Sequence, residues 1–254
     1  MDGPTSEAPV RIAIWSGPRN LSTALMRSFE ARGDCAVTDE PLYASYLDAT
    51  GLAHPGREAT LASQERDWRR VVATLLGPVP GGRALWYQKH MAHHLLPELD
   101  RGWLGGLRHG FLIREPEAVL TSMLEVWPEP TLADTGLPQQ VELFERLAEG
   151  GAPPPVVDSA DLLRDPAGIL AGLCAALGID YRPAMLSWPA GRRATDGVWA
   201  EHWYAAVERS TGFAPYRPKE ARVHERFEGL LAQARALHER LHPHRLRPAQ
   251  DPAR

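Results

Sequence analysis

The chain has 254 residues, 44% of them hydrophobic, and a formal net charge of −4. That length and apolar share support one α/β domain with a sizeable core, and no Pro/Gly/Ser linker separates independently patterned halves. The negative balance and dispersed basic residues exclude a nucleic-acid partner, and no apolar run is long enough to cross a membrane.

Residues 1–7 lack the basic and apolar regions of a signal peptide, so the expected compartment is the cytoplasm. One domain is expected over residues 10–241, with 1–9 and 242–254 as flexible tails. Cys35 and Cys174 are isolated and read as buried thiols. Lysine occurs only at Lys89 and Lys219, which makes Lys89 conspicuous in an Arg-rich chain.

The first element is a strand over 11–15, where Ile12, Ala13, Ile14 and Trp15 form a short apolar run bounded by Ser16-Gly17-Pro18. Ser22 and Thr23 then open a helix over 22–32. The free backbone N–H groups and positive dipole end at such a helix start attract anions, and Arg19 adds a fixed charge, so a phosphate site is expected here. The G-x-x-x-x-G-K-[ST] pattern fails, because Arg19 stands three residues before Ser22 and no second Gly precedes that Ser.

A strand is expected over 35–38, helical segments over 41–49 and 57–76, a strand over 85–88, a helix over 91–99 and a strand over 109–113. The last of these runs into Arg114, and Pro116 opens a helix over 116–126 that carries Ser122. A helix over 137–149, a strand over 155–158 and a helix over 161–177, with Gly178 as its C-cap, complete the alternating part. Strands alternating with helices imply a parallel β-sheet flanked by helices on both faces. A final helix over 218–241 aligns Val223, Phe227, Leu230, Leu231, Ala234, Leu237 and Leu241 on one face, suited to core packing or, alternatively, to a homodimer seam.

Pro18-Arg19-Asn20-Leu21-Ser22-Thr23 resembles the Pro-Lys/Arg-Ser-Gly-Thr-Thr loop of sulfotransferases that use 3′-phosphoadenosine 5′-phosphosulfate (PAPS), with Leu21 departing from the usual Gly. The Arg114/Ser122 pair, eight residues apart inside Arg-Glu-Pro-x-x-Val-x-x-Ser, is similar to the pair that clamps the cofactor's 3′-phosphate in that family. A guanidinium gives bidentate, charge-assisted bonds to phosphate and a hydroxyl adds one more. The segment 155–178 resembles a late strand, turn and helix of the family, and 191–199 its C-terminal loop over the nucleotide, with Arg192 and Arg193 as candidates for its phosphates. Ser-Gly-Pro-Arg-Asn, Asp-Glu-Pro-Leu-Tyr, Lys-His-Met and Asp-Gly-Val-Trp together look like a bacterial branch of small sulfotransferase-like proteins.

The resemblance implies a P-loop nucleotide-binding fold and transfer of a sulfuryl group from PAPS, as co-substrate, to a hydroxyl, phenol or amine of a small-molecule acceptor, with no metal expected. Donor contacts are then expected from Arg19, Asn20, Leu21, Ser22, Thr23, Arg114 and Ser122. Lys89 is expected to assist the transfer, since Lys89-His90 resembles the family's Lys-Thr-His stretch without its Thr. For the base, Glu40 comes after the second strand at the edge where open α/β sheets bind ligands, and His90 ends the third; both are expected to line the acceptor site. Tyr43, Tyr46, Trp68, Trp86, Trp127, Trp199 and Trp203 are candidates for an aromatic wall there. The alternatives are a phosphotransferase with an ATP-like donor and a non-catalytic nucleotide-binding protein. A pyridoxal-phosphate enzyme built on Lys89 would leave the Arg114/Ser122 frame without a purpose.

Overall fold

The computed structural model describes residues 8–218 and 222–248. Five strands, β1 (Val10–Ser16), β2 (Cys35–Asp39), β3 (Leu85–Met91), β4 (Arg108–Ile113) and β5 (Val156–Asp158), form one parallel sheet in the order β2-β3-β1-β4-β5. Between and after them lie α1 (Ser22–Glu30), α2 (Tyr43–Thr50), α3 (Arg57–Ser63), α4 (Trp68–Leu76), α5 (Pro116–Leu124), α6 (Leu137–Glu149), α7 (Ser159–Arg164), α8 (Pro166–Ala176), α9 (Ala200–Trp203), α10 (Ala205–Glu208) and α11 (Glu228–Leu241).

Strand alternation sorts the core into two layers. Ile12, Ile14, Tyr87 and Leu112 pack against Leu25, Met26 and Phe29 of α1 and Leu170 and Leu173 of α8. On the opposite face Ala13, Trp15, Trp86, Phe111 and Ile113 meet Val71, Val72 and Leu75 of α4, Val141 and Phe144 of α6, and Ala234 and Leu241 of α11. Full burial of each such Leu, Val or Phe contributes about 1.5–3 kcal/mol. Both faces of the sheet are covered, as the alternation of strands and helices requires. The chain steps across β1 on its way from β3 to β4, so the C-terminal ends of β1, β3 and β4 meet at the switch point where such sheets bind ligands.

Several boundaries differ from the sequence reading. β3 runs on to Met91, so Lys89 and His90 are strand residues, and a 3-10 turn over Ala92–His94 replaces the start of the helix expected over 91–99. The segment 57–76 breaks at Gln64, and Asp67 accepts from the Arg69 N–H to start α4. The helix over 161–177 is two helices, α7 capped by Asp158 and α8 by Asp165, with Pro166 just inside the second start. Of the expected helix over 218–241, residues 219–221 lie outside the described ones, and the helix begins at Glu228.

The apolar face of α11 is covered within the chain: Leu231 packs on Val119, Leu120 and Met123 of α5. This is the core packing expected for that face. Residues 242–248, part of the expected tail over 242–254, contact the domain. Leu246 donates its N–H to the Val156 carbonyl at 2.8 Å, and Arg245 pairs with Asp161 at 2.9 Å. The expected tails over 1–7 and 249–254 lie outside the described residues. Among the described residues no helix is long and apolar enough to cross a membrane.

Candidate functional site

The loop between β1 and α1 accommodates Leu21 in a conformation that glycine would adopt more easily. Arg19 (φ 64°) and Leu21 (φ 66°) are both left-handed. Each non-glycine residue there costs about 1–2 kcal/mol, and such strain persists only where surrounding bonds over-determine it. Asn20 Nδ2 donates to the Leu112 carbonyl at 3.3 Å, and Ser159 Oγ lies 3.0 Å from the Asn20 carbonyl and 2.8 Å from that of Ile113. Gln140 Nε2 donates to the carbonyls of Trp15 (2.9 Å) and Leu112 (3.1 Å) beneath the loop. Gly17 is required by contact, since any Cβ would strike the Thr135 carbonyl oxygen.

No side chain caps α1, so the N–H groups of Ser22, Thr23 and Ala24 face outward without an intrahelical partner. Asn20, expected among the donor contacts, instead turns its side chain inward to hold the loop, leaving only its backbone for a ligand. The hydroxyls of Ser22 and Thr23 have no hydrogen-bond partner among the described residues.

The two halves of the expected donor site come together. Arg114 Nη1 donates to the Arg19 carbonyl at 2.7 Å, and Arg19 Nε donates to Ser122 Oγ at 2.8 Å. Neither guanidinium has a carboxylate within ion-pair distance among the described residues. Burial and the neighbouring Arg19 charge depress the Arg114 pKa, partly offset by Asp158 and Glu125. Two unpaired cations at a helix N-terminus form a place for a multiply charged anion. The other Arg pair is divided. Arg192 is exposed, whereas Arg193 Nε lies 3.3 Å from Glu30 Oε2 on α1, so Arg193 braces the C-terminal loop and is already paired.

Lys89 stands elsewhere than expected. Its ammonium is buried and gives its three hydrogens to Asp39 Oδ1 (2.8 Å), Glu40 Oε1 (2.7 Å) and Tyr204 OH (2.6 Å). Nothing remains for a donor's sulfate. Tyr204 OH donates to Asp39 at 2.7 Å, and Gly197 N–H reaches the same carboxylate at 3.2 Å, so the segment 197–204 is tied to the ends of β2 and β3. Glu40 (φ 42°) is the third left-handed non-glycine residue, held by its N–H to the Lys89 carbonyl (2.9 Å) and its carbonyl from Gln64 Nε2 (3.2 Å). Its side chain keeps 11% of its surface exposed, the open end of an otherwise buried cluster. Burial raises the Glu40 pKa, opposed by Lys89 and reinforced by Asp39.

His90 does not join Glu40. Consecutive strand residues point to opposite faces, and while Lys89 meets Glu40, His90 stacks on Trp15 at 4.3 Å and lies 6.1 Å from Trp103. Burial pushes its pKa down to about 3, leaving a neutral, weakly basic imidazole in the core. The structure therefore separates the two residues expected to line one acceptor site, and of the two, only Glu40 keeps an open side.

The aromatic candidates divide the same way. Trp86 of β3 lies in the core layer that α4 covers, and Trp68, at the start of α4, packs against it. Tyr43 stacks on His94 (4.7 Å) and meets Trp199 edge-on (5.1 Å), Tyr46 meets His93 edge-on (5.3 Å), and Trp127 stacks on Trp203 (5.6 Å). His54 links these groups, with Nδ1 3.0 Å from Tyr43 OH and its ring 6.0 Å from Trp127. A Cβ at Gly136 would meet both Gly17 and the His93 nitrogen, so this aromatic group borders the loop between β1 and α1. The thiols take no part: burial pushes Cys35 up to about 12.

Asp39, Tyr204, Gln140 and Ser159 were missed from sequence. Asp39 stood beside Glu40 with a visible charge, but Tyr204 and Ser159 carry no local pattern that distinguishes them from ordinary helix-terminal residues.

The family model described as a sulfotransferase domain matches residues 10–241, and the chain belongs to that family. Two Arabidopsis thaliana proteins, named branched-chain-amino-acid aminotransferase-like protein 1 and 2, are 41% and 37% identical over 206 and 203 residues. Those matches cover 81% and 80% of this chain but 37% and 36% of the relatives, so the chain spans little more than a third of their length. The crystal structure of a sulfotransferase from Alicyclobacillus acidocaldarius superposes with a TM-score of 0.53 at 14% identity, covering 94% of this chain and 98% of that one, which shows a shared fold.

Proposed function

We propose that this sulfotransferase-family chain transfers a sulfuryl group from PAPS to a hydroxyl, phenol or amine of a small molecule, releasing 3′,5′-adenosine bisphosphate. The observation that carries the reading is the convergence of Arg19, Arg114 and Ser122 on the uncapped start of α1. The backbone N–H groups after the loop would hold the 5′-phosphosulfate, and Arg114 with Ser122 the 3′-phosphate. The donor supplies an activated sulfuryl group whose bond to the 5′-phosphate breaks as the acceptor's bond to sulfur forms. The loop's fixed N–H groups and Arg19 stabilise charge on the leaving phosphate. Glu40 takes the acceptor's proton.

A second reading, a nucleotide-binding protein of this fold without turnover, is favoured by one observation: Lys89, the residue expected to aid transfer, is fully engaged with Asp39, Glu40 and Tyr204. A phosphotransferase draws no such support, since the loop lacks the Walker lysine.

Calorimetric titration with 3′,5′-adenosine bisphosphate, ADP and 5′-AMP tests the donor. Preference for the bisphosphate is expected, with Arg114→Ala weakening it about 10- to 100-fold, the worth of hydrogen bonds to a charged group. Preference for ADP with Mg²⁺, or no binding, would overturn the reading. Bisphosphate binding without release of bisphosphate from PAPS across an acceptor panel would favour the second reading.

A further inference from the structure

One ammonium faces two carboxylates in the buried group at the ends of β2 and β3, so the cluster carries one uncompensated negative charge when both acids are ionised. Side-chain exposure is 2% for Lys89 and Asp39 and 11% for Glu40, so the surplus charge is shielded by water only at Glu40. Asp39 is the better-served acid, with Lys89 at 2.8 Å, Tyr204 OH at 2.7 Å and the Gly197 N–H at 3.2 Å. Glu40 is held most closely by Lys89 at 2.7 Å, with Tyr204 as a further, weaker donor. The proton affinity of the cluster therefore collects at Glu40.

We propose that Asp39 and Tyr204 are positioning residues that share the Lys89 ammonium between two carboxylates and so leave Glu40 as the proton-accepting member at the open end. The proposal rests on the sulfuryl-transfer reading for what the proton is used for, and on the geometry alone for where it binds. Every charged or titratable group facing Glu40 is part of this balance: Asp39 from β2, Lys89 from β3, Tyr43 from α2 and Tyr204 after α9. Tyr43 and Tyr204 stay neutral at working pH, because burial raises both phenols. The left-handed backbone at Glu40, bonded at its N–H and its carbonyl, fixes the carboxylate's direction before any ligand arrives.

Each perturbation has a definite sign. Asp39→Asn removes the competing anion, so Lys89 serves Glu40 alone and its titration moves to lower pH by about 1 pH unit or more. Tyr204→Phe removes a donor from Asp39, which then draws harder on Lys89, and a weaker donor from Glu40 itself, so Glu40 titrates at higher pH. A residue that only held the fold together would not move the midpoint in opposite directions.

The experiment is a carboxyl carbon NMR titration of the full chain, with the Glu40 signal assigned by its loss in Glu40→Gln. The expected result is a wild-type midpoint above the ordinary glutamate range, lower in Asp39→Asn and higher in Tyr204→Phe. Equal midpoints in the three proteins, or a rise in Asp39→Asn, would overturn the proposal. Should Asp39→Asn fail to fold, an unchanged midpoint in the conservative Tyr204→Phe variant overturns it alone. Affinity for 3′,5′-adenosine bisphosphate, measured on the same samples, separates the two levels: its absence defeats the donor reading while the titration still decides the charge balance.

Discussion

Replacing Lys89 by methionine tests how far the buried cluster organises this edge of the sheet. The methionine keeps most of the aliphatic stem, so the loss is chiefly electrostatic. Two carboxylates at 2.8 and 2.7 Å lose the one cation paired with them among the described residues, in a place where Asp39 exposes 2% of its side chain. Removing one member of such a buried pair costs about 3–5 kcal/mol. For a chain of this size each kcal/mol moves the thermal midpoint by about 2–4 °C, so a fall of about 6–20 °C is expected at pH 8. The deficit also carries a pH signature. Without the cation the Glu40 carboxyl, already raised by burial, loses the charge that opposed the rise, so the native state binds more protons and stability declines as pH rises through its folded value. The gap between variant and wild type should therefore shrink from pH 8 to pH 6. Thermal melts by circular dichroism at the two pH values measure it. A variant that melts within about 2 °C of wild type, or whose deficit ignores pH, would refute the reasoning.

Arg27→Met should be comparably costly, about 3–5 kcal/mol, because it strands Asp196, whose side chain is wholly buried 2.6 Å from the guanidinium; limited proteolysis should then cut first within 191–199. Leu21→Gly removes left-handed strain but adds unfolded-chain entropy, so the midpoint should hold or rise slightly with bisphosphate affinity intact; a fall of several degrees would show that the Leu21 side chain, not its backbone, is what the loop needs. Buried His54, His90, His93 and His94 all have depressed pKa values, so the unfolded state binds more protons below about pH 6.5; wild-type stability should drop as pH falls through that range, and a flat urea midpoint between pH 7 and 5 would contradict it. With Glu40 as base, turnover should fall as pH drops through a midpoint above the ordinary glutamate range, and Glu40→Gln should abolish it while leaving bisphosphate affinity unchanged.

The layered sheet and the strand-loop-helix of β1 and α1 were legible because both are local patterns. Apolar strands bounded by turn residues, and Ser22-Thr23 opening an amphipathic helix, need no distant partner to be recognised. The Arg114/Ser122 pair stood out through the family resemblance of its frame, whereas its contact with Arg19 was invisible, since that joins residues 103 positions apart. What failed depended on strand alternation and on long-range pairing. The polar residues Lys89 and His90 disguised the continuation of β3, and once that strand extends, they must face opposite layers. Tyr204 lies 115 residues from Lys89, a distance at which sequence carries no signal without a partner to compare. Residues 242–248 looked like a tail because a single parallel bridge from Arg245 to Val156 leaves no repeating pattern.

The most direct test is the structure of the protein bound to 3′,5′-adenosine bisphosphate. The 5′-phosphate should lie within hydrogen-bond distance of the N–H groups of residues 20–24, with the 3′-phosphate between Arg114 and Ser122, displacing the Arg19 bond to Ser122 Oγ. A nucleotide bound with Arg114 and Ser122 untouched, or with its 3′-phosphate directed to solvent, would contradict the account.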